Sequence, residues 1–400
     1  MANRRRFLAN AALAVGFTLL TVVFWVAVGE LVLRHRHGAV PPGPPSAWKT
    51  YHAQRGWALR PGQYSYFDSR AARRVDVSIN DAGLRNAPLA PEPMPGVARL
   101  TILGDSFVFG APLDEPRTIT GRLQALAGPS YEIVNVAVPG YGTGQEYLLA
   151  AELLANGYRL GGKVVLAFFT NDLQDNLALD YSTLARNPAQ PAFRIDALGQ
   201  LQWARPQAPH GARRTERSAS IPTLFLAYLR YQAEVVAVSS PMILKALDAA
   251  GLSPSLPRTP GVIAGWYTSG WEGRWAATEE VLAYVVRALQ GNPEAPEVLM
   301  AFIPSPFQVQ RGFQRVLAAE AHRDARYAAF LSDPDRPQRA LQAAAGQLGV
   351  RLVDFTPALR RAAEQSLVYF PREGHFNELG SAIAAQLLYD EVISASAAGF

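Results

Sequence analysis

The sequence predicts an α/β fold: a three-layer α/β/α sandwich with a five-stranded parallel sheet, preceded by one N-terminal transmembrane helix. Three observations predict it. Five short, near-continuous apolar runs recur at residues 99–103, 131–136, 163–169, 298–303 and 350–354. Helical patterns separate them, over 118–126, 145–154, 278–289 and 338–347. Strands that are apolar on both sides and alternate with helices belong in a parallel sheet covered on both faces. The third observation is an uncharged stretch at residues 7–29.

That stretch comes first. As a helix at ~1.5 Å per residue it extends about 34 Å, against a hydrocarbon core of ~30 Å. Arg4, Arg5 and Arg6 precede it, so the N-terminus stays in the cytoplasm by the positive-inside rule. Trp25 stands near the outer end as an interfacial aromatic. The alternative is a cleaved signal peptide, with Ala27-Val28-Gly29 as a passable small-x-small site. The apolar stretch exceeds the ~7–15 residues usual there, which favours an uncleaved anchor. The expected location is a single-pass inner membrane protein with the rest of the chain periplasmic. Charge supports this division. The chain has 400 residues and a net charge of +5. Residues 1–37 hold five arginines against Glu30, or +4, leaving +1 for the other 363 residues.

The expected organisation is an anchor at 1–37, a stiff proline-rich linker at 38–46, a lead-in segment at 47–97 and the main domain at 98–395. The lead-in has one alternating run, 75–79, ending in the turn Asn80-Asp81-Ala82-Gly83. An insertion at about 176–290 breaks the strand–helix rhythm. It carries Pro188, Pro191, Pro206 and Pro209, a polar run at 213–217, a helical pattern at 224–238, and the aromatics Trp266, Tyr267, Trp271 and Trp275. Those tryptophans suit core or rim packing better than sugar stacking.

In open parallel sheets ligands bind beyond the carboxyl ends of the strands. There the sequence places Gly104-Asp105-Ser106, then Pro139-Gly140-Tyr141-Gly142, then Thr170-Asn171-Asp172. Near the C-terminus Glu373-Gly374-His375-Phe376-Asn377 precedes a helical run at 379–392. A serine, a glycine turn, an asparagine and a histidine supply a nucleophile, oxyanion donors and a general base. Asp105 suits fixing the turn by hydrogen bonds. With no cysteine in the chain, a thiol nucleophile, a disulfide scaffold and a zinc ribbon are excluded.

These four blocks resemble the SGNH, or GDSL, hydrolases, in particular their membrane-anchored bacterial members. Ser106 matches the first-block serine, with Phe107 where the founding motif has Leu. Gly140, Asn171 and His375 match the later blocks in order. The resemblance covers 98–172 and 296–392, and more loosely 51–85 and 30–34. It implies a flavodoxin-like strand order, Ser106 as nucleophile, His375 as base, and an oxyanion hole from Ser106, Gly140 and Asn171. The family's usual Asp, three residues before the histidine, is Arg372 here. Glu373 is the nearest carboxylate and the expected acid. The alternatives are a Ser–His dyad aided by a backbone carbonyl, or Asp354 reaching across from the fifth strand end.

The expected activity is a serine esterase acting on acyl, above all acetyl, esters, with cell-surface glycan as a candidate carrier. An O-acyltransferase would use the same residues, and a non-catalytic glycan-binding protein would keep the fold. No cofactor or metal is expected: His35 and His37 lack neighbouring ligands, and no Lys-Ser/Thr pair follows the glycines at 140–144. No basic cluster interleaved with aromatics points to nucleic acid.

Overall fold

Apolar runs bounded by turn residues settle as strands where both faces can be covered, and here they do. The computed structural model describes residues 2–38, 48–180, 184–207, 224–249 and 260–394. The proline-rich run at 40–46 and the charged run at 213–217 lie outside the described residues. Helix α1 (Ala2–His37) opens the chain, and its Leu13–His37 stretch is long and apolar enough to cross a membrane. Two antiparallel hairpins follow, β1 (Lys49–His52) with β2 (Gly56–Leu59), and β3 (Gly62–Asp68) with β4 (Arg73–Ile79).

The main domain begins with β5 (Ala98–Gly104), α2 (Ser106–Phe109) and α3 (Ile119–Ala127). Next come β6 (Tyr131–Ala137), α4 (Thr143–Ala155), β7 (Lys163–Phe169) and α5 (Asp172–Asn176). The insertion contributes a hairpin, β8 (Ala192–Ile195) with β9 (Leu201–Ala204), then α6 (Leu224–Ser239), α7 (Pro241–Ala249) and α8 (Pro260–Tyr267). Helix α9 (Trp271–Gln290) returns the chain to β10 (Glu297–Ile303). Then follow α10 (Pro306–Val309), α11 (Arg311–Glu320), α12 (Ala325–Ser332) and α13 (Arg336–Leu348). The chain ends with β11 (Leu352–Asp354), α14 (Thr356–Ala363) and α15 (Glu378–Leu388).

Five parallel strands form one sheet in the order β11-β10-β7-β5-β6. Numbered along the chain this is 2-1-3-4-5, the flavodoxin-like order expected. Every residue of β7 after Lys163, and of β10 after Glu297, is buried. This explains their unbroken apolar runs. Helices α3 and α15 pack together on one side, while α4, α9 and α13 form the other layer. Such right-handed winding leaves a crevice beyond β5 and β7, where the connections depart in opposite directions.

Structure and sequence expectation differ in three places. Helix α9 starts at Trp271, ahead of the pattern at 278–289. The Trp271 and Trp275 rings lie 6.1 and 5.3 Å from that of Trp266, and this aromatic cluster extends the helix backwards. Trp266 is fully buried and Trp275 nearly so, as core packing requires. Residues 306–332 fold into three helices that no single run announced. The last helical pattern ends at Leu388 and continues as a π-helical turn, Tyr389–Ser394.

The lead-in is fastened to the domain by Arg85. Its guanidinium is buried and donates to the carbonyls of Phe109 (2.9 Å), Gly110 (3.2 Å), Leu113 (2.5 Å) and Asp76 (3.2 Å). Burial lowers its pKa to about 10, against the opposing pull of Tyr66, Glu115 and Asp114. Four carbonyls replace the lost water, which keeps a buried cation affordable.

Candidate active site

The strand ends deliver the candidate residues to one crevice. β5 runs into Asp105, whose carboxylate caps the short helix α2 by accepting the Phe107 N–H (2.9 Å). That cap fixes the sharp strand-to-helix turn and turns Ser106 outward. Ser106 Oγ lies 2.7 Å from His375 Nε2. His375 Nδ1 lies 2.5 Å from Glu373 Oε2, which also accepts the His375 backbone N–H at 3.0 Å. The histidine loop is held by a bridge between Tyr369 and Phe376 and by Asn377, whose side chain caps α15. Phe107 packs on the imidazole, ring centroids 4.6 Å apart. Serine, histidine and glutamate thus form one continuous contact chain.

The other acid candidates have other partners. Asp354 accepts from Gln338 and from the Thr356 N–H (2.9 Å). Arg372 faces Glu234 of α6 at 3.8 Å. Asp105 accepts from Ser106 Oγ (3.2 Å) and Asn171 Nδ2 (3.3 Å) through the same oxygen.

Asn171 follows β7 and donates a second bond, 2.8 Å, to Asp175. In this state both amide hydrogens face carboxylates. The bond to Asp105 is the longer of the two. Gly140 follows β6 with φ +86°, a left-handed conformation that suits glycine. A Cβ there would stand 3.3 Å from the Trp57 ring. Gln190, from the insertion, donates to Gly140 O (3.2 Å) and to Asp175 Oδ1 (2.9 Å). Gly140, Asp175, Asn171, Asp105 and Ser106 are thereby tied into one network.

Electrostatics follow from burial and pairing. Burial alone would lower the His375 pKa. The Glu373 carboxylate at its Nδ1, with Asp105 nearby, outweighs burial and raises it above 6.5. Burial alone would raise the Glu373 pKa; His375 and the Arg70 guanidinium outweigh it and lower it. Deeper in, Glu146 and Asp172 are buried near Asp105 and Asp175. Desolvation, reinforced by these like charges, drives both pKa values well up. Among the described residues no group of three or more His, Asp and Glu side chains is placed to hold a metal ion.

Four contributors lie outside the recognised blocks. Arg70, in the β3–β4 turn, reaches Glu373 Oε1 at 3.4 Å. Lys49 Nζ (2.9 Å) and Trp57 Nε1 (3.2 Å) both donate to Pro139 O, directly before Gly140. Burial lowers the Lys49 pKa to about 8. Gln190 is the fourth. Each makes a contact spanning 50 or more positions in sequence, so no local spacing marks it.

No protein-family model matches this chain, and no curated protein matches it. Among solved structures it is similar to an acetyl xylan esterase, AlAXEase, at 10% identity and TM-score 0.36, covering 74% of this chain and 100% of that one. It is similar to a lipolytic G-D-S-L family protein from Veillonella parvula at 11% identity and TM-score 0.35, covering 74% and 97%. A carbohydrate acetylesterase family member from Sinorhizobium meliloti gives 10% identity and TM-score 0.37, covering 74% and 97%. Likenesses at this level carry nothing about activity. The chemistry rests on the residues described above.

Proposed function

We propose that this chain is a serine esterase of the SGNH type that cleaves acyl, above all acetyl, esters through an acyl-serine intermediate. The observation that carries the reading is the unbroken contact chain Glu373–His375–Ser106 beside Asn171 at the crevice of a flavodoxin-like sheet. Ser106 Oγ attacks the ester carbonyl carbon while His375 Nε2 takes the hydroxyl proton. The carbonyl π pair moves to oxygen, where the amides of Ser106 and Gly140 and the re-aimed Asn171 side chain receive it. Collapse breaks the bond to the alcohol, which leaves with the proton from His375. Water then repeats the sequence on the acyl-serine and frees the acid. Glu373 holds the imidazole in the tautomer that accepts at Nε2 and stabilises the imidazolium.

In this reading residues 1–37 anchor the protein in the inner membrane, spanning it at 7–29, and residues 47–395 work outside the cytoplasm. Acylated cell-surface carbohydrate is the substrate class such a position favours. The test is turnover of a chromogenic acetyl ester by the full chain in detergent. Turnover lost in Ser106→Ala, with a serine-directed phosphonate adduct confined to Ser106, supports the reading. Neither turnover nor labelling would sink it in favour of a glycan-binding role. Release of the acyl group to a sugar hydroxyl instead of water would make the chain an O-acyltransferase.

A further inference from the structure

Helix α6 ties the N-terminal helix to the candidate site. Glu30 accepts the backbone N–H groups of Leu224 (3.1 Å) and Phe225 (3.0 Å), the first residues of α6, and pairs with Arg34 at 2.8 Å. The Phe225 ring lies so close to Gly29 that a Cβ there would be 2.4 Å from it. At its other end α6 is packed on the domain. Glu234 faces Arg372, Tyr231 lies 6.4 Å from the Phe370 ring, and Val238 closes on Gly312 of α11. Arg372 and Phe370 belong to the loop that carries His375.

Among the described residues nothing covers the opposite side of α6. Leu226, Leu229, Ala233 and Val236 follow helical spacing along one stripe, and the three larger side chains are 45–48% exposed. Met242, at the start of α7, is 78% exposed. The stripe begins beside α1: Leu226 follows Phe225, which meets Gly29, and α1 exposes large apolar side chains between Leu13 and Trp25 and again at Leu31 and Val32. Arg34 and Arg36, just beyond, are exposed cations.

We propose that α6 and the start of α7 form a second membrane element, lying in the outer leaflet's interface with the Leu226–Val236 stripe and Met242 among the acyl chains. This rests on α1 being a membrane anchor. Three features select a lipid surface over a protein partner. The stripe starts at the spanning helix, one residue after the Phe225–Gly29 contact. Glu30, at the end of the uncharged stretch, fixes the start of α6 at the membrane boundary. Arg34 and Arg36, which follow it, complement anionic headgroups. The 16 residues of α6 are too few to span. Its far end is fastened to the His375 loop, so it runs along the surface. The candidate site is thereby held at a fixed height above the membrane.

The chain has no cysteine, so single nitroxide labels report single positions. Leu229→Cys, Val236→Cys and Met242→Cys are labelled in the full chain, reconstituted in vesicles of phosphatidylethanolamine and phosphatidylglycerol. Leu20→Cys reports the anchor, and Leu198→Cys, 84% exposed in the β8–β9 turn, reports water. The expected result is a ratio of oxygen to nickel-chelate collision at 229, 236 and 242 severalfold above that at 198 and below that at 20, as an interfacial depth requires. Water-like ratios at all three with a lipid-like ratio at 20 overturn the proposal and leave the anchor standing. A water-like ratio at 20 overturns both. Labels shielded from both reagents place a protein, such as a second copy, on the stripe and also overturn it.

Discussion

Replacing Glu373 by glutamine changes one carboxylate oxygen to NH2 and removes one charge at nearly constant shape. Oε2 accepts both the Nδ1 and the backbone N–H of His375, and Oε1 faces the Arg70 guanidinium. Glutamine cannot satisfy both ends. With its oxygen toward His375, its NH2 meets the Arg70 donor. With its NH2 toward His375, the imidazole must accept at Nδ1 and carry its proton at Nε2, where Ser106 needs an acceptor. Either arrangement also loses the charge that stabilises the imidazolium. We expect kcat to fall by about 10³ to 10⁴-fold, or about 4–5.5 kcal/mol of barrier. The assay is hydrolysis of a chromogenic acetyl ester across the pH range. In the wild type, activity requires neutral His375, whose pKa is raised above 6.5, so the acid limb of kcat/KM lies above 6.5 and activity falls as pH drops through it. In Glu373→Gln the raising carboxylate is gone, so the limb of the residual activity moves to lower pH. Activity within a few-fold of wild type, with an unmoved limb, would refute the assignment of Glu373.

Asn171→Ala is expected to lower kcat by about 10² to 10³-fold with little change in KM, as steady-state kinetics would show, because its amide acts on charge that develops only in the transition state. Gly140→Ala forces a left-handed residue to carry a Cβ 3.3 Å from Trp57, at a conformational cost of roughly 1–2 kcal/mol, and should lower kcat. Adding Trp57→Ala relieves the contact but not the backbone, so recovery in that double variant should be partial. Arg85→Met leaves four carbonyls without their donor and should cost about 3 kcal/mol of stability, read as a lower denaturant midpoint.

The sheet was legible because its strands are buried on both faces, and burial on both faces writes itself into the sequence as continuous apolar runs. The residues that close the active-site turns were legible for a related reason. Ser106, Gly140 and Asn171 each follow directly on such a run, and His375 precedes a capped helix, so local order locates them. Arg70, Lys49, Trp57 and Gln190 were not legible. Each acts across tens to hundreds of positions, and none of them stands at the end of a buried apolar run. The helices of 306–332 escaped for a different reason: they are short, and even in α11 the helical spacing of Phe313, Val316 and Leu317 covers little more than one turn. Glu373 illustrates the middle case, since its spacing to His375 named it as a candidate while only its contact with Nδ1 separates it from Asp354.

The hairpins at 49–79 have a consequence for how this molecule comes apart. Trp48 packs edge-on against Phe109, which follows the Ser106 turn, with ring centroids 5.5 Å apart. Lys49 and Trp57 hold the peptide before Gly140, Arg70 reaches Glu373, and Arg85 crosses to Leu113. The first strand of the sheet begins only at Ala98, yet the turns beyond two strand ends and the His375 loop are braced from upstream of it. A chain begun at residue 98 would retain all five strands and lose that bracing. Folding of the lead-in and shaping of the crevice are therefore one cooperative event, and thermal unfolding should release them in a single transition.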